Sequence, residues 1–531
     1  MLLFLLILTH LVPLVTPSLP QKFLSPQPQD QYGPTISNAI TNANLIFNSI
    51  HSSMRQWGSS VQHNGMSFFP AYVPEGTLLY HGDAQAGRVR GTEWLAFEIQ
   101  HAEMFAISVR MKALFPRPGK GDGDELSLDE DKVFWDPRNE PPEQLVALDD
   151  YPPEIEIKPG YLHIYQANRP LKLLYLDGMS AAKCDLGTMD TQDVLLLNFT
   201  LHKFFDRERA RELCELGKEW GVEGFIRMEA GFEIIKCDFS AGLDFISHKR
   251  RPDFHRPEAN NNMFLLDYIR EISGRYGGIS AGRVKLDYSS MTSAYFYPTN
   301  LSNPDQEPGQ SVLPRLVESN KRVLERIKSD LRGAIRRSKS SRSVDWQGVA
   351  DMIVKRYSNR LQFMATDPPR QVLLPQINSM LNLFVEYGNS EPQDPVKTCS
   401  LHYLQPVQPT TEQDRLIEIA FKTVTHKICN TIFEVRELIL GRQRDGDAKE
   451  FETKSSAVGL IRDLMKWLDW SGRKSCGECA LDEVCFIAVF PFGTAEDHYN
   501  PHCINNTDIK SRIGMTETNY WRPKNRYRSD H

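Results

Sequence analysis

The chain has 531 residues, of which 40% are hydrophobic and 24% are charged, and its formal net charge is −6. This length and composition are sufficient for two or three domains, each with its own hydrophobic core. They exclude a fibre, a repeat array and a wholly disordered protein. The negative charge gives no general attraction to nucleic acid or to an acidic membrane surface, so neither is an expected partner. No run of about 18 apolar residues follows the N-terminal segment, so we expect no membrane span once that segment is cleaved.

The N-terminal segment is an almost unbroken run of Leu, Ile, Val and Phe over residues 1–16. This run is too short to span a bilayer as a helix, and Pro17 and Pro20 would end one, so residues 1–20 predict a secretory signal peptide. A buried amphipathic helix would space its apolar residues at helical intervals, which this segment does not do. We therefore expect a secreted or cell-wall-associated protein. The same expectation is supported by three sequons for N-glycosylation, at Asn198, Asn300 and Asn505.

The pattern of Pro, Gly and apolar residues predicts an α+β fold in three parts. Residues 35–300 are expected to form a mixed domain with antiparallel strands and an acidic surface insertion at 117–144. Residues 310–470 are expected to form a helical domain. Residues 471–531 are expected to form a small cysteine-rich tail.

Local patterns predict individual elements within these parts. Two apolar runs at 161–165 and 171–176, separated by Asn168-Arg169-Pro170, predict a β-hairpin. The other predicted elements are, in chain order, a helix at 36–57, a helix at 205–219, a buried strand at 232–239, a β-like stretch at 283–297, and amphipathic helices at 316–331 and 411–440.

Cysteines crowd into the tail, and in an exported protein they predict disulfides. Four cysteines allow three pairings, and the first two are expected to pair with distant partners rather than with each other. The four are Cys476, Cys479, Cys485 and Cys503. One alternative is a zinc site in which Cys476 and Cys479 form a knuckle and Cys485, Cys503, His498 or His502 completes the tetrahedron, but Asn500-Pro501 between the two histidines favours a turn over a helix that would align them. Another is a redox-active Cys-x-x-Cys, but no strand-to-helix context surrounds it. We expect no metal.

The remaining cysteines lie outside the tail. Cys214 and Cys429 fall on the apolar faces of predicted helices, where they could be buried thiols or members of a core disulfide. The total of nine is odd, so at least one thiol of a monomer stays unpaired.

The clearest chemical motif is a strand ending in Tyr80-His81-Gly82, followed by an aromatic strand from Glu93 and a helix of the form Ala-x-x-Phe-Ala at 102–106. This stretch resembles the opening of the ADP-ribosyltransferase-like fold. The resemblance implies NAD as the cofactor, held by Tyr80, His81 and Gly82, with His81 on the ribose and Gly82 allowing close backbone approach. It also implies that Trp94 or Phe97 lines the nicotinamide pocket, so that His81 and Trp94 would be the catalytic residues.

Such a transferase also needs a carboxylate that hydrogen-bonds the ribose and stabilises the oxocarbenium-like transition state as nicotinamide leaves. No carboxylate of this chain matches a family motif. The alternative is a degenerate fold in which His81 is a strand-end histidine with its hydrogen bonds satisfied. The candidate carboxylates are Glu154, Glu156, Asp190, Asp193, Glu229 and Glu233.

Longer strings are similar to an uncharacterised family of fungal secretory proteins, a resemblance that extends over nearly the full length and implies no activity. The strings are HSSMRQWGSSVQHNGMSFF at 51–69, VPEGTLLYHG at 73–82, residues 93–106, LLYLDGMSA at 173–181, GTMDTQD at 187–193 and DEVCFIAVFPFG at 482–493.

Two further motifs suggest chemistry. Ser180 follows an apolar strand, as a serine-hydrolase nucleophile does, but Ala182 replaces the second glycine of the nucleophile elbow. The alternative is a strand-to-helix turn in which Ser180 caps the helix. Residues 274–282 (GRYGGISAG) resemble a phosphate-binding loop but lack its Lys-Ser/Thr ending, which favours a flexible glycine loop.

The sequence thus predicts an exported glycoprotein of unknown molecular activity with a structural or partner-binding role. One alternative is an NAD-using, ADP-ribosyltransferase-like enzyme with its site around His81. Another is a serine hydrolase that uses Ser180.

Overall fold

The structure is a computed structural model, and it describes residues 30–111, 155–198, 206–252, 261–304, 313–338, 343–388, 394–441, 447–512 and 518–522. The predicted signal peptide and acidic insertion lie outside these ranges. The described residues from Tyr32 onward belong to one compact unit. None of the helices in the described ranges has both the length and the apolar character needed to cross a membrane.

The N-terminal half is built on a ten-stranded mixed sheet, as the α+β prediction requires. The strands lie side by side in the order β10 (Leu243–Arg250), β6 (Tyr161–Ala167), β2 (Leu78–Asp83), β3 (Glu93–Ala96), β9 (Phe232–Lys236), β8 (Gly224–Met228), β7 (Leu171–Gly178), β1 (Asn64–Val73) and β11 (Lys285–Leu286), and β12 (Thr292–Ser293) also pairs with β1. Neighbouring strands are antiparallel except for β7 and β8. This parallel pair needs a long crossover, which a π-helical turn at Thr191–Leu196 and helix α5 (Asp206–Trp220) provide.

The predicted hairpin at 161–176 is wrong, although both of its strands exist. β6 pairs with β2 and β10, whereas β7 pairs with β1 and β8, so four strands separate the two in the sheet. The sheet curls: the Asn168 amide donates to the Gly242 carbonyl at 3.1 Å, and a Cβ on Gly242 would lie 2.6 Å from Leu171 Cδ2. The short turn at 168–170 therefore connects β6 to β7 at a point where the curled sheet brings their ends close together. Each strand nevertheless forms its hydrogen bonds with other strands, which are distant in the sequence.

Helices predominate in the second half of the chain, and shorter helices precede or connect the strands of the first half. The predicted helix at 36–57 is divided in three, and the β-like stretch at 283–297 contains two short strands and 3-10 turns. The helices are α1 (Ile36–Thr41), α2 (Ala43–Ser52), α3 (Gln56–Val61), α4 (Ile99–Glu103), α5, α6 (Asn261–Gly274), α7 (Lys321–Arg337), α8 (Trp346–Ala365), α9 (Arg370–Leu381), α10 (Pro395–Leu401), α11 (Glu412–Gly441), α12 (Asp447–Leu468) and α13 (Ala495–Tyr499). Two further strand pairs are β4 (Ile107–Met111) with β5 (Ile155–Pro159), and β13 (Val484–Phe486) with β14 (His502–Ile504).

One hydrophobic core joins the predicted parts. Phe47 of α2 packs on Phe421 of α11 with ring centroids 4.7 Å apart, and Trp346 of α8 packs on the same ring at 5.0 Å. In the tail, Trp521 is fully buried and its ring lies 5.2 Å from that of His63. The three predicted parts therefore share one interior, and the boundaries drawn between them stay predictions.

Eight of the nine cysteines form disulfides, which leaves Cys184 as a buried thiol. The pairs are Cys214–Cys237, Cys399–Cys429, Cys476–Cys485 and Cys479–Cys503. In the tail, Cys476 and Cys479 thus pair with Cys485 and Cys503 and not with each other. Because all four are oxidised, none offers a thiolate to zinc.

Candidate functional site

The sequence-predicted site at His81 lies in the sheet, and its imidazole is engaged by neighbouring protein groups. His81 is buried; its Nδ1 donates to the Trp94 carbonyl at 2.6 Å, and its Nε2 lies 3.4 Å from Asp83 Oδ2. Gly82 does allow a close approach, but of protein: a Cβ there would lie 2.2 Å from the Ala102 carbonyl oxygen. The surroundings are those of a strand-end histidine with its hydrogen bonds satisfied.

Strand register separates His81 from the strongest candidate carboxylate. Tyr80 is paired with Ala96, and Ala96 with Glu233, so these three side chains share one face of the sheet. Side chains alternate along a strand, so His81 is on the other face. Trp94 shares the face of Glu233, where it is half-buried with the Arg207 guanidinium 5.9 Å from its ring centroid.

The other candidates are held in structural contacts or lie outside the described side chains. Ser180 is fully buried and its hydroxyl donates to the Leu176 carbonyl at 3.0 Å, which is neither a helix cap nor a bond to a histidine. Asp190 accepts from Arg315 and from the Leu316 amide. Glu154 lies outside the described residues, and Glu156 is described only as part of β5.

A buried network of charges occupies the sheet face that carries Glu233. At its centre Arg227, fully buried on β8, donates to Glu233 Oε1 at 2.6 Å and to both oxygens of Asp206 at 3.0 and 3.1 Å. Asp206 begins α5, so the crossover helix brings its carboxylate to the sheet. Arg209, one turn further along α5, binds Asp193 through two nitrogens at 2.7 and 2.9 Å.

Lys183 closes the network on its more open side. Its Nζ lies 3.2 Å from Glu229 Oε2 and 3.5 Å from Asp206 Oδ2, and the Lys183 and Glu229 side chains keep 14% and 12% of their surface exposed. We call the seven charged residues the charge cluster; they are Lys183, Asp193, Asp206, Arg209, Arg227, Glu229 and Glu233.

The charge cluster holds four carboxylates and three cations, and its acids differ in proton affinity. Burial raises the pKa of Glu233, an effect that Arg227 only partly offsets. For Asp206, burial acts in the same direction, but Arg227 and Lys183 outweigh it and hold the pKa well below its usual range. Burial also raises the pKa of Asp193, against the opposing effect of Arg209, so the carboxyl groups of the cluster are shifted in different directions by the same neighbours.

His101 of α4 contacts this cluster from the neighbouring layer. Burial lowers its pKa to about 4, so the imidazole is neutral at ordinary pH, and its Nδ1 lies 3.1 Å from the Tyr268 hydroxyl. Gly231, in the turn between β8 and β9, leaves room for it, since a Cβ there would lie 2.6 Å from His101 Nδ1.

These groups include a set with the spacing of a metal site. His101, Glu229 and Glu233 each offer one ligand atom, and the three atoms lie within 4.8 Å of one another. The donor set of one imidazole and two carboxylates could hold a divalent cation. Lys183 and Arg227, however, already neutralise the two carboxylates. A metal ion would therefore compete with Lys183 and Arg227 for these two carboxylates.

The glycine loop at 274–282 lines a cavity of about 520 Å³. Gly278 has φ +119° and Gly282 has φ +63°, so both positions favour glycine. Arg55 also lines the cavity, but its guanidinium is held by Asp351 at 2.6 and 2.7 Å.

Sequence reasoning named Glu229, Glu233 and Asp193 as candidate transferase carboxylates, a role that stays a prediction, and it did not anticipate that they contact Lys183, Arg227 and Arg209. The available signal was a charged residue inside an apolar strand, as Arg227 is between Ile226 and Met228. A charge at such a position is buried, and a buried charge requires a partner.

Comparison with known proteins relates this region to a fungal domain. Residues 34–256 match the family model described as the YPL277C N-terminal domain. This range contains the whole charge cluster, His101 and His81. Two proteins of Saccharomyces cerevisiae are similar to the chain. Uncharacterized protein YOR389W is 26% identical over 548 residues, covering 86% of this chain and 83% of its own length. Uncharacterized protein YPL277C is 37% identical over 220 residues, covering 38% of this chain and 41% of its own length.

The chain is thus related to uncharacterised fungal proteins. This finding supports the resemblance to a fungal family drawn from the longer sequence strings, and neither relative's name states an activity. No solved structure matches the chain, so the resemblance to the ADP-ribosyltransferase-like fold gains no support.

Proposed function

We propose that the protein is an exported, disulfide-stabilised glycoprotein that binds a partner or ligand and does not turn over a substrate. The observation that carries the export is the oxidation of eight of the nine cysteines into four disulfides distributed along the chain. Structural disulfides persist in oxidising compartments and are rare in the cytosol. The exposed positions of Asn198 and Asn300 are compatible with glycosylation at both sequons.

The binding role is favoured over the enzyme alternatives by the state of their key residues. The His81 imidazole is engaged by Trp94 and Asp83, and the Ser180 hydroxyl is buried and donates to a main-chain carbonyl. A nucleophile or a cofactor ligand needs a side chain that its substrate can reach.

Export is tested by expressing the full chain, including its N-terminal residues, in yeast. We expect the protein in the medium, a mobility shift on deglycosylation that decreases in Asn198→Gln and Asn300→Gln variants, and the four disulfides in non-reducing peptide maps. A cytosolic protein with reduced cysteines would contradict the proposal.

Catalysis is tested separately on the secreted protein. We expect no release of nicotinamide from NAD and no labelling of Ser180 by a fluorophosphonate. Saturable nicotinamide release that is lost in His81→Ala would support the transferase alternative instead. Labelling that is lost in Ser180→Ala would support the hydrolase.

A further inference from the structure

Arg275 is a buried arginine without a partner. It follows the last residue of α6, only 3% of it is exposed, and all three of its guanidinium nitrogens are buried without a hydrogen-bond acceptor. Its main chain is anchored, because its carbonyl accepts the amides of Gln56 at 3.1 Å and of Gly278 at 2.9 Å. The side chain is thus held in the interior by a fixed backbone.

This arrangement is unusual because a guanidinium keeps its charge and its five N–H donors when it is buried. An unpaired buried charge is among the most unfavourable features a folded protein can contain. Among the described residues, three arginines are classed as buried, namely Arg209, Arg227 and Arg275. The first two donate to carboxylates, and Arg275 does not.

The charged and titratable groups around Arg275 do not supply the missing acceptor. Glu98, Glu271 and Tyr268 attract its charge without bonding it, and Arg283 opposes it. Glu98 already binds Arg283, with Nη2 2.5 Å from Oε1. The Tyr268 hydroxyl is shared between His101 Nδ1 at 3.1 Å and the Ala230 carbonyl at 3.3 Å.

A second unsatisfied atom lies on the residue whose main chain is bonded to that of Arg275. Gln56 is fully buried; its amide nitrogen donates to the Glu229 carbonyl at 3.1 Å, but its Oε1 has no donor. The two orphaned groups are complementary in kind, since Arg275 needs an acceptor with negative charge and Gln56 needs a donor. A small oxyanion that also carries a hydroxyl group satisfies both.

We propose that Arg275 anchors a small hydroxyl-bearing oxyanion, a hydrogen phosphate or a hydroxycarboxylate, with Gln56 accepting from its hydroxyl. This inference gives the proposed binding role a ligand class. It is independent of export, because no experiment on secretion or glycosylation involves Arg275. The site binds the anion without reacting with it, so no covalent bond of the ligand is made or broken.

The test measures anion binding by the purified full chain, using calorimetry and thermal unfolding at constant ionic strength. The probes are inorganic phosphate, glycolate and acetate, with chloride as the blank. We expect saturable binding of phosphate or glycolate, and weaker binding of acetate, which has no hydroxyl donor. In Arg275→Met the affinity should fall about 30-fold or more, as it does when one partner of a buried charge pair is removed.

Stability without anion provides the second readout. Arg275→Met should unfold at the same or a higher temperature than the wild type, because it removes an unpaired buried charge. The matched control is Arg315→Met, which removes an arginine whose side chain is 13% exposed and which is paired with Asp190. This control should unfold at a lower temperature and keep its anion affinity.

Three results would overturn the inference. The first is that none of the three probes binds saturably, and the second is that they bind Arg275→Met as tightly as the wild type. The third is that Arg275→Met loses as much stability as Arg315→Met, which would show a structural role. If Arg275→Met does not fold, the anomalous signal of arsenate in wild-type crystals decides, because hydrogen arsenate carries a hydroxyl group as hydrogen phosphate does. Arsenate must lie within hydrogen-bond distance of the Arg275 side chain, and arsenate bound only elsewhere contradicts the site.

Discussion

Arg227 and Arg275 are both buried cations, yet their surroundings are opposite. Arg227 donates to Asp206 and Glu233 within the charge cluster, whereas the three nitrogens of Arg275 have no acceptor. Removing one member of a buried pair leaves its partner's charge uncompensated, but removing an unpaired charge removes an unfavourable term. The comparison therefore separates an arginine whose charge is compensated inside the fold from one whose nitrogens have no acceptor among the described residues.

The largest effect is expected at the centre of the charge cluster. Arg227→Met leaves Asp206 and Glu233 buried without their main cation, so the free energy of unfolding should fall by about 3–5 kcal/mol. Urea denaturation measures this loss. The control is Arg169→Met, which breaks an ion pair with Glu223 in which the Arg169 side chain is 48% exposed and should cost less than about 1 kcal/mol. If both variants were equally stable, the charge cluster would not be what fixes α5 to the sheet.

The second-largest loss of stability is expected from the disulfide Cys214–Cys237, which links α5 to the end of β9. Cys214 lies on α5, which also carries Asp206 and Arg209, and Cys237 directly follows β9, which carries Glu233. Replacing both cysteines by Ala should lower the free energy of unfolding by about 3 kcal/mol, because the unfolded chain loses a closed loop.

A double-mutant comparison sharpens this second prediction. The losses in free energy of unfolding from the Cys214 and Cys237 replacement and from Arg227→Met should not add, because the disulfide and the arginine both hold α5 against the sheet. The matched control replaces Cys399 and Cys429, which span a similar 30 residues between α10 and α11. The loss in free energy of unfolding from this control should add to the loss from Arg227→Met. If the two losses were as non-additive as those of the Cys214–Cys237 change and Arg227→Met, the Cys214–Cys237 disulfide would not act locally on α5.

The third effect depends on pH and concerns His101, whose charged form is opposed by burial, by Arg275 and by Lys183 of the charge cluster. Burial, together with Arg275 and Lys183, lowers its pKa to about 4, whereas Glu233 raises it. The unfolded chain takes up this proton near pH 6.5 and the folded chain only near pH 4, so stability is lost as the pH falls through that window. The loss is about 3 kcal/mol for this one group.

The measurement compares wild type with His101→Gln in urea at pH 7, 5.5 and 4. The wild type should lose about 3 kcal/mol relative to the variant across this range, since all other titrating groups are common to both proteins. A constant difference between the two proteins would mean that His101 is protonated in the fold at the same pH as in the unfolded chain.

Several features of this protein could be predicted from local sequence. Amphipathic spacing located α5 and α11, and an apolar run located β9, because burial of one face leaves a periodic record in the sequence. The crowding of Cys476, Cys479, Cys485 and Cys503 predicted disulfides with distant partners. Glu229 and Glu233 were named as candidate carboxylates because they flank a predicted strand, and their functional role stays a prediction.

Partner choice could not be predicted, because it depends on contacts between distant segments. Asn168-Arg169-Pro170 has the composition of a hairpin turn, but the curl of the sheet sends β6 and β7 to different neighbours. The same long-range geometry puts His81 and Glu233 on opposite faces and so separates two residues that the sequence suggested for one site. It also brings Asp206, Arg227 and Glu233 together from three elements.

The sequence by itself therefore determined the α+β class, the main helices and strands, and the chemical types of its candidate residues, because these follow from periodicity and composition. Only the tertiary structure decided which charges are compensated. In the sequence Arg227 lies between Ile226 and Met228 and Arg275 lies between Gly274 and Tyr276, and neither context shows which arginine has a partner. Their difference arises because hydrogen-bond partners are set by the packing of α5, β9 and α6 in three dimensions, and a buried charge is stable or unsatisfied according to those partners alone.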